Sequence, residues 1–119
     1  MFTLGSANRY YLYSQPTDMR KSFDALCQVV EMGMQRNPLS GEVFIFINRP
    51  RNRMKLLRWE FGGFILYYKR LEKGNFELPS GDINSASVVI NWPELVMMVQ
   101  GISLQHIRTR KRYLLTDSC

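Results

Sequence analysis

The chain has 119 residues and a formal net charge of +6. This length predicts one domain whose core needs no metal ion or disulfide, and the basic excess favours an anionic partner, most often nucleic acid. Two cysteines do not make a disulfide framework, and the absence of a long apolar run or a signal-peptide pattern favours a cytoplasmic protein without a membrane span.

The first third of the chain predicts a strand followed by a helix. Residues 9–13, RYYLY, are rich in aromatic side chains and predict a short strand. Turn and helix-capping residues follow, and apolar residues then recur every three or four positions between Phe23 and Met34. This spacing predicts one amphipathic helix over 19–34, which proline and glycine residues end soon afterwards.

Three strand-like runs follow, joined by short connections. They cover residues 42–48, 54–60 and 64–70. The first connection is the size of a hairpin turn, and the second contains the two glycines that a tight turn favours. Short links between successive strands predict an antiparallel meander. The first run is apolar on both faces, so we expect it to be central in the sheet or covered by a helix.

The remaining segment predicts a loose connection and then a second helix. Residues 71–89 contain glycine and proline without a clear period. Asn91 is a suitable N-cap, Glu94 lies three residues later, and Gly101 is suited to the position after the helix.

Together these elements predict a single α+β domain over residues 1–101. We expect an antiparallel β-meander sheet packed against one helix, with a second helix near the C-terminus. Residues 102–119 are predicted to be a basic C-terminal extension. No internal repeat or linker divides the chain, and the sequence leaves the oligomeric state open.

The positive charge is concentrated in two segments. Residues 49–73 carry eight Lys/Arg and two Asp/Glu, and residues 108–112 carry four basic side chains in five positions. A hairpin tip with several arginines suits DNA grooves and phosphates, and aromatic residues beside charge suit stacking on single strands. The candidate DNA-binding residues are therefore Arg49, Arg51, Arg53, Lys55, Lys69, Arg70, Arg108, Arg110, Lys111 and Arg112.

Two other interpretations of the basic tip remain open. It could dock on an acidic face of a protein partner. It could also be a solvated turn whose charge protects a sheet edge from unwanted pairing.

The sequence offers little to a catalytic or metal site. His106 is the only histidine, and three Cys and His residues in all are too few for a typical zinc site. Neither of the glycine-rich phosphate-binding motifs is present, and the acidic residues are scattered. We therefore predict a protein that is not an enzyme and has no cofactor or metal. A nuclease, whose carboxylates would converge only in space, is a remote alternative.

Two long blocks resemble a known family. Residues 16–26, PTDMRKSFDAL, and residues 41–79, which begin GEVFIFINRPRNR, are similar to the TnpB accessory protein of the IS66 class of bacterial insertion sequences. That protein is the product of the element's second open reading frame, and the resemblance covers about residues 1–101. Two positions depart from the expected pattern: Pro50 replaces a basic residue, and Phe61 makes the second turn more apolar.

The resemblance implies a small cytoplasmic protein encoded beside a larger DDE transposase, which would carry the catalytic carboxylates. It implies a non-enzymatic accessory role in transposition, with the DNA of the insertion-sequence ends and the transposase as expected partners. It assigns no role to individual residues, so the DNA contacts above rest on charge alone. An adaptor that docks on the transposase without touching DNA is the main alternative.

Overall fold

The computed structural model describes residues 4–79 and 85–100. The strands are β1 (Tyr10–Tyr13), β2 (Val43–Ile47), β3 (Arg53–Glu60), β4 (Gly63–Arg70) and β5 (Ser87–Ile90). The helices are α1 (Phe23–Gln28), which continues as a π-helical segment over Val29–Gly33, and α2 (Trp92–Gln100). The strands form one sheet in the order β4-β3-β2-β1-β5. The prediction of an α+β fold with a helix near the C-terminus is confirmed.

The sheet is mixed, whereas the sequence predicted an antiparallel meander. Strands β2, β3 and β4 do form that meander. Strand β1, however, pairs with β2 in parallel, with Tyr11 beside Phe44. The chain between them passes through α1, and parallel neighbours require such a crossover. Strand β5, which the sequence analysis left in a loose connection, pairs antiparallel with β1.

The first helix is shorter than predicted. It begins at Phe23, so residues 19–22 precede it and are available to form part of a loop. Most of its apolar face is the predicted one, because Leu26, Val30 and Met34 are buried, but Phe23 at its start is exposed. At the second helix, the backbone N–H of Glu94 donates to Asn91 Oδ1 at 2.9 Å and the Asn91 N–H donates to Glu94 Oε1 at 3.0 Å. This reciprocal capping confirms the predicted start; Gly101 lies outside the described residues.

The hydrophobic core has two halves, one on each face of the sheet. On one face, Phe44, Phe46 and Leu57 pack with the apolar residues of α1. On the other face, the alternate strand residues pack with α2 and with buried Phe76. Every residue of β2 is buried, as expected for a central strand covered on both faces. No helix among the described residues is long and apolar enough to cross a membrane.

Candidate nucleic-acid interface

The turn between β2 and β3, residues 48–52, has a backbone held by hydrogen bonds; we call it the basic turn. Asn48 Oδ1 accepts the N–H groups of Asn52 and Arg53 at 3.0 Å each, and Asn48 Nδ2 donates to Asn52 Oδ1 at 2.8 Å. The N–H of Arg51, whose φ is +61°, donates to the carbonyl of Asn48 at 3.0 Å. These hydrogen bonds therefore fix the backbone positions from which the arginine side chains of this turn extend.

The chain that follows β4 supports the basic turn from behind. Asn75 Nδ2 donates to the carbonyl of Pro50 at 2.6 Å, and the N–H of Phe76 donates to the carbonyl of Arg51 at 2.5 Å. Since Phe76 is fully buried in the core, the turn is tied to the core through this segment. The support comes from residues more than twenty positions away in sequence.

Residues 16–20 face the basic turn across an open groove of about 780 Å³, which we call the basic groove. One wall is formed by residues 16–20, and the other by the basic turn and Arg53. The N–H of Thr17 donates to the carbonyl of Ile47 at 2.9 Å and fixes the first wall beside the end of β2. The groove therefore brings together the two sequence blocks that carry the family resemblance.

The charge of the basic groove is predominantly positive. Arg20, Arg49 and Arg53 line it, together with one carboxylate, Asp18. Arg20 binds Asp18, with Nη2 to Oδ2 at 2.6 Å and Nε to the same oxygen at 3.0 Å. Hydrogen bonds from the Arg20 side chain and backbone lower the pKa of Asp18 to about 2. Within the described ranges neither Arg49 nor Arg53 has a carboxylate partner, so the charges of these two guanidinium groups are not neutralised there.

Thr17 adds a polar group without a partner to this wall. The residue is buried, and its Oγ1 has no hydrogen-bond partner within residues 4–79 and 85–100. An unsatisfied buried hydroxyl typically costs about 1–3 kcal/mol.

The positive surface continues from the groove onto β4. Arg53 and Arg70 are directly opposite each other on neighbouring strands, and Arg53 Nη1 donates to the hydroxyl of Tyr68 at 3.3 Å. Like charges in this position normally destabilise a sheet. Glu72 binds Arg70 Nε at 2.8 Å and relieves part of the repulsion. An anion placed between the two arginines would relieve more of it.

Lys55, which the sequence analysis placed among the DNA contacts, does not belong to this surface. It is 5% exposed, and its Nζ donates to the carbonyls of Met19 and Lys21 at 2.7 Å each. The ammonium also lies 4.8 Å from the centre of the Tyr68 ring. Its charge is thus used within the fold to hold the wall of the basic groove against β3. We therefore remove Lys55 from the candidate DNA contacts.

The other predicted contacts are placed differently. Arg51 is exposed at the tip of the basic turn but does not line the groove. Lys69 lies on the opposite face of the sheet, where its Nζ donates to the carbonyl of Val99. Arg108, Arg110, Lys111 and Arg112 lie outside the described residues.

Sequence reasoning missed the contribution of residues 16–20. The predicted helix over 19–34 included Arg20, whereas the helix starts three residues later and Arg20 lines the groove. The available signal was the match of Asp18 and Arg20 to the family block, to which no role was attached. The described part of the chain contains no cluster of side chains suited to holding a metal ion.

These features define a small α+β protein with a basic groove at one end of its sheet. The chain belongs to the TnpB family of IS66 elements, described as IS66 Orf2-like protein, whose family model matches residues 8–109. The resemblance noted in the sequence is thereby confirmed. Membership implies an accessory role in the transposition of an insertion sequence.

Two relatives come from Sinorhizobium fredii. The chain is 30% identical to uncharacterized protein y4hO over 106 residues, which cover 89% of this chain and 90% of that protein. It is 24% identical to uncharacterized protein y4jC over 102 residues, which cover 86% of each chain. No solved structure gives a significant match. Functional inference therefore depends on the family and on the site geometry.

Proposed function

We propose that this protein is a non-enzymatic accessory factor of transposition that binds the DNA of the insertion-sequence ends and helps to assemble the separately encoded transposase there. The observation that carries the proposal is the hydrogen-bonded basic turn, which together with the start of β3 places Arg49 and Arg53 at the groove without carboxylate partners among the described residues. Guanidinium groups on a fixed backbone lose little conformational freedom on binding phosphate or base edges.

The shape of the site also supports a nucleic-acid ligand. The basic groove is open, and a second open pocket of about 460 Å³ is lined by Arg53, Tyr68, Arg70 and Glu72. Arg53 lines both, so the two form one continuous basic surface. A chain of phosphates could follow this surface, with Tyr68 available to stack on a base.

One observation favours the adaptor alternative. Asp18 places a carboxylate in the basic groove, which would repel phosphate but would suit a basic side chain of a protein partner. Its bonds to Arg20 reduce this repulsion without removing it. The two functions differ in their response when this carboxylate is neutralised.

The decisive experiment measures DNA binding by fluorescence anisotropy at several salt concentrations, with duplex and single-stranded DNA carrying element ends. We expect Arg49→Glu to weaken binding about tenfold and to reduce the slope of log affinity against log salt by about one, because each neutralised phosphate contributes about 0.9 to that slope. Arg9→Glu is the matched control: Arg9 is also exposed, and it lies beside the start of β2, at the other end of the sheet.

Asp18→Asn separates the two candidate functions. For a DNA site, removing the carboxylate should strengthen binding and steepen the salt dependence. For an adaptor, the wild-type chain should show no salt-dependent DNA binding, and Asp18→Asn should weaken capture of the transposase. Equal loss of DNA binding in Arg49→Glu and Arg9→Glu would show that only total charge matters and would remove the basic turn from the proposal.

A further inference from the structure

Strand β4 forms one edge of the sheet and is eight residues long. Only β3 pairs with it among the strands in the described part of the chain. Glu60 pairs with Gly63 across a two-residue turn, so the backbone N–H and C=O groups of Gly63 point toward β3. In the following residues of β4 these groups point alternately away from β3 and toward it. The backbone groups of Phe64, Leu66 and Tyr68 therefore point away from β3. An edge this long that no described residue pairs with is a template for another strand.

The turn that leads into this edge has an unusual residue, Phe61. Its side chain is 98% exposed, and its φ is +51°, followed by Gly62 at +82°. Two-residue turns of this kind favour Asn or Gly, because other side chains clash in the left-handed conformation. Both hydration and backbone strain therefore disfavour Phe61 in the isolated chain. Tyr68, further along the same edge, is 48% exposed.

We propose that two copies of the chain pair antiparallel through their β4 edges, about a two-fold axis at Leu66. The two five-stranded sheets would then form one continuous sheet. In this register Leu66 faces its own copy and Phe64 faces Tyr68 of the second copy, both through outward backbone groups. These apolar and aromatic pairs are the kind that stabilise neighbouring strands.

Charge is compatible with this centre and disfavours two others. With the axis at Leu66, Lys69 faces Gly63 and Arg70 faces Gly62 of the second copy, so no like charges are opposed. An axis at Lys69 or Arg70 would set each of these cations against itself, which destabilises paired strands. The glycines leave room for the long basic side chains, and Phe61 lies beside the second copy rather than in open water.

The dimer would also set the spacing between two copies of the proposed DNA site. This part of the inference rests on the proposed function. A two-fold axis perpendicular to the sheet leaves both basic grooves on the same side. Arg53 is level with Arg70 in the strand register. The two copies of Arg53 are then displaced by eight residue steps of about 3.4 Å along the strands and by three strand spacings of about 4.8 Å across them. These perpendicular displacements combine to a straight-line distance of roughly 30 Å. One turn of DNA is about 34 Å, so both sites could contact one face of a duplex.

The test is sedimentation equilibrium of the full chain without DNA, over a concentration series. We expect a reversible dimer for the wild-type chain. Leu66→Lys and Leu66→Glu should each be monomeric, because each sets a charge against itself at the axis. An equimolar mixture of the two variants should recover the dimer, because the opposed charges are then complementary. This recovery is specific to the proposed register.

Leu66 packs partly on the core, so each variant is first checked by circular dichroism. Phe61→Asn provides a second variant that suits the turn, and we expect it to weaken dimerisation several-fold while leaving the fold intact. A monomeric wild-type chain at all concentrations would overturn the proposal and leave the edge to another strand. Dimers that persist when each Leu66 variant is measured separately would also overturn the proposal. Because no DNA is present, these results are independent of the DNA-binding test.

Discussion

The two ends of β3 are built in different ways. At one end, the basic turn is held by the side chain of Asn48 and supported by Asn75 and by the backbone of buried Phe76. At the other end, the turn of Phe61 and Gly62 is as short as a hairpin allows and leaves an aromatic side chain in water. Both turns place a residue other than glycine at positive φ, Arg51 and Phe61.

The difference between the turns indicates two kinds of recognition. The basic turn fixes its backbone so that exposed cations occupy set positions, which suits a charged ligand. The turn at Phe61 leaves its apolar side chain exposed. Such a side chain is suited to burial when another chain binds. Substitutions at the two ends should therefore have separable effects.

Lys55→Met should have the largest effect, because it removes the link between β3 and the wall of the basic groove. Two carbonyls, of Met19 and Lys21, would lose a charged donor. We expect the free energy of unfolding to fall by about 3 kcal/mol, since hydrogen bonds to charged groups contribute about 1.5–3 kcal/mol each and methionine retains part of the packing. Urea denaturation followed by tryptophan fluorescence measures the change. Lys73→Met, at an exposed position, is the control and should be nearly neutral; a similar loss in both variants would contradict the assignment.

Asn48→Ala should come next. It removes two acceptor bonds to the backbone and one bond to Asn52, and leaves the N–H groups of the basic turn without their partner. We expect a loss of about 2 kcal/mol in the free energy of unfolding. Asn75→Ala removes a single exposed bond to Pro50 and should cost less than about 1 kcal/mol. If the two variants lose equal stability, the Asn75 bond to Pro50 contributes as much to the basic turn as the Asn48 side chain does.

The smallest effects should come from the matched pair Arg51→Asn and Phe61→Asn. Asparagine tolerates the left-handed conformation, so each substitution should stabilise the monomeric fold by about 0.5–1 kcal/mol. On DNA too short to engage two copies, the functional consequences should separate: Arg51→Asn weakens DNA binding and leaves self-association unchanged, whereas Phe61→Asn weakens self-association and leaves DNA binding unchanged. Thermal unfolding, anisotropy and sedimentation on the same preparations measure all three. A shared functional loss would show that the two turns are not independent.

The candidate site was predictable in part from charge. The concentration of arginines between two strands located the basic turn correctly, because a hairpin connection projects its residues from the sheet. The same reasoning included Lys55 wrongly, because strand alternation shows which face a side chain is on but not what covers that face. The loop before α1 covers Lys55, and sequence spacing alone does not place that loop there.

Elements with local signals could be predicted from the sequence alone. The reciprocal cap of α2, the hairpins of β2, β3 and β4, and the burial of β2 all follow from residues close together in the chain. The folded structure was needed to establish the parallel pairing of β1 with β2, the addition of β5 and the wall of the basic groove. These depend on contacts between segments some thirty or more residues apart. Such contacts are selected by the packing of whole elements around a shared core, and no local pattern of residues encodes that choice.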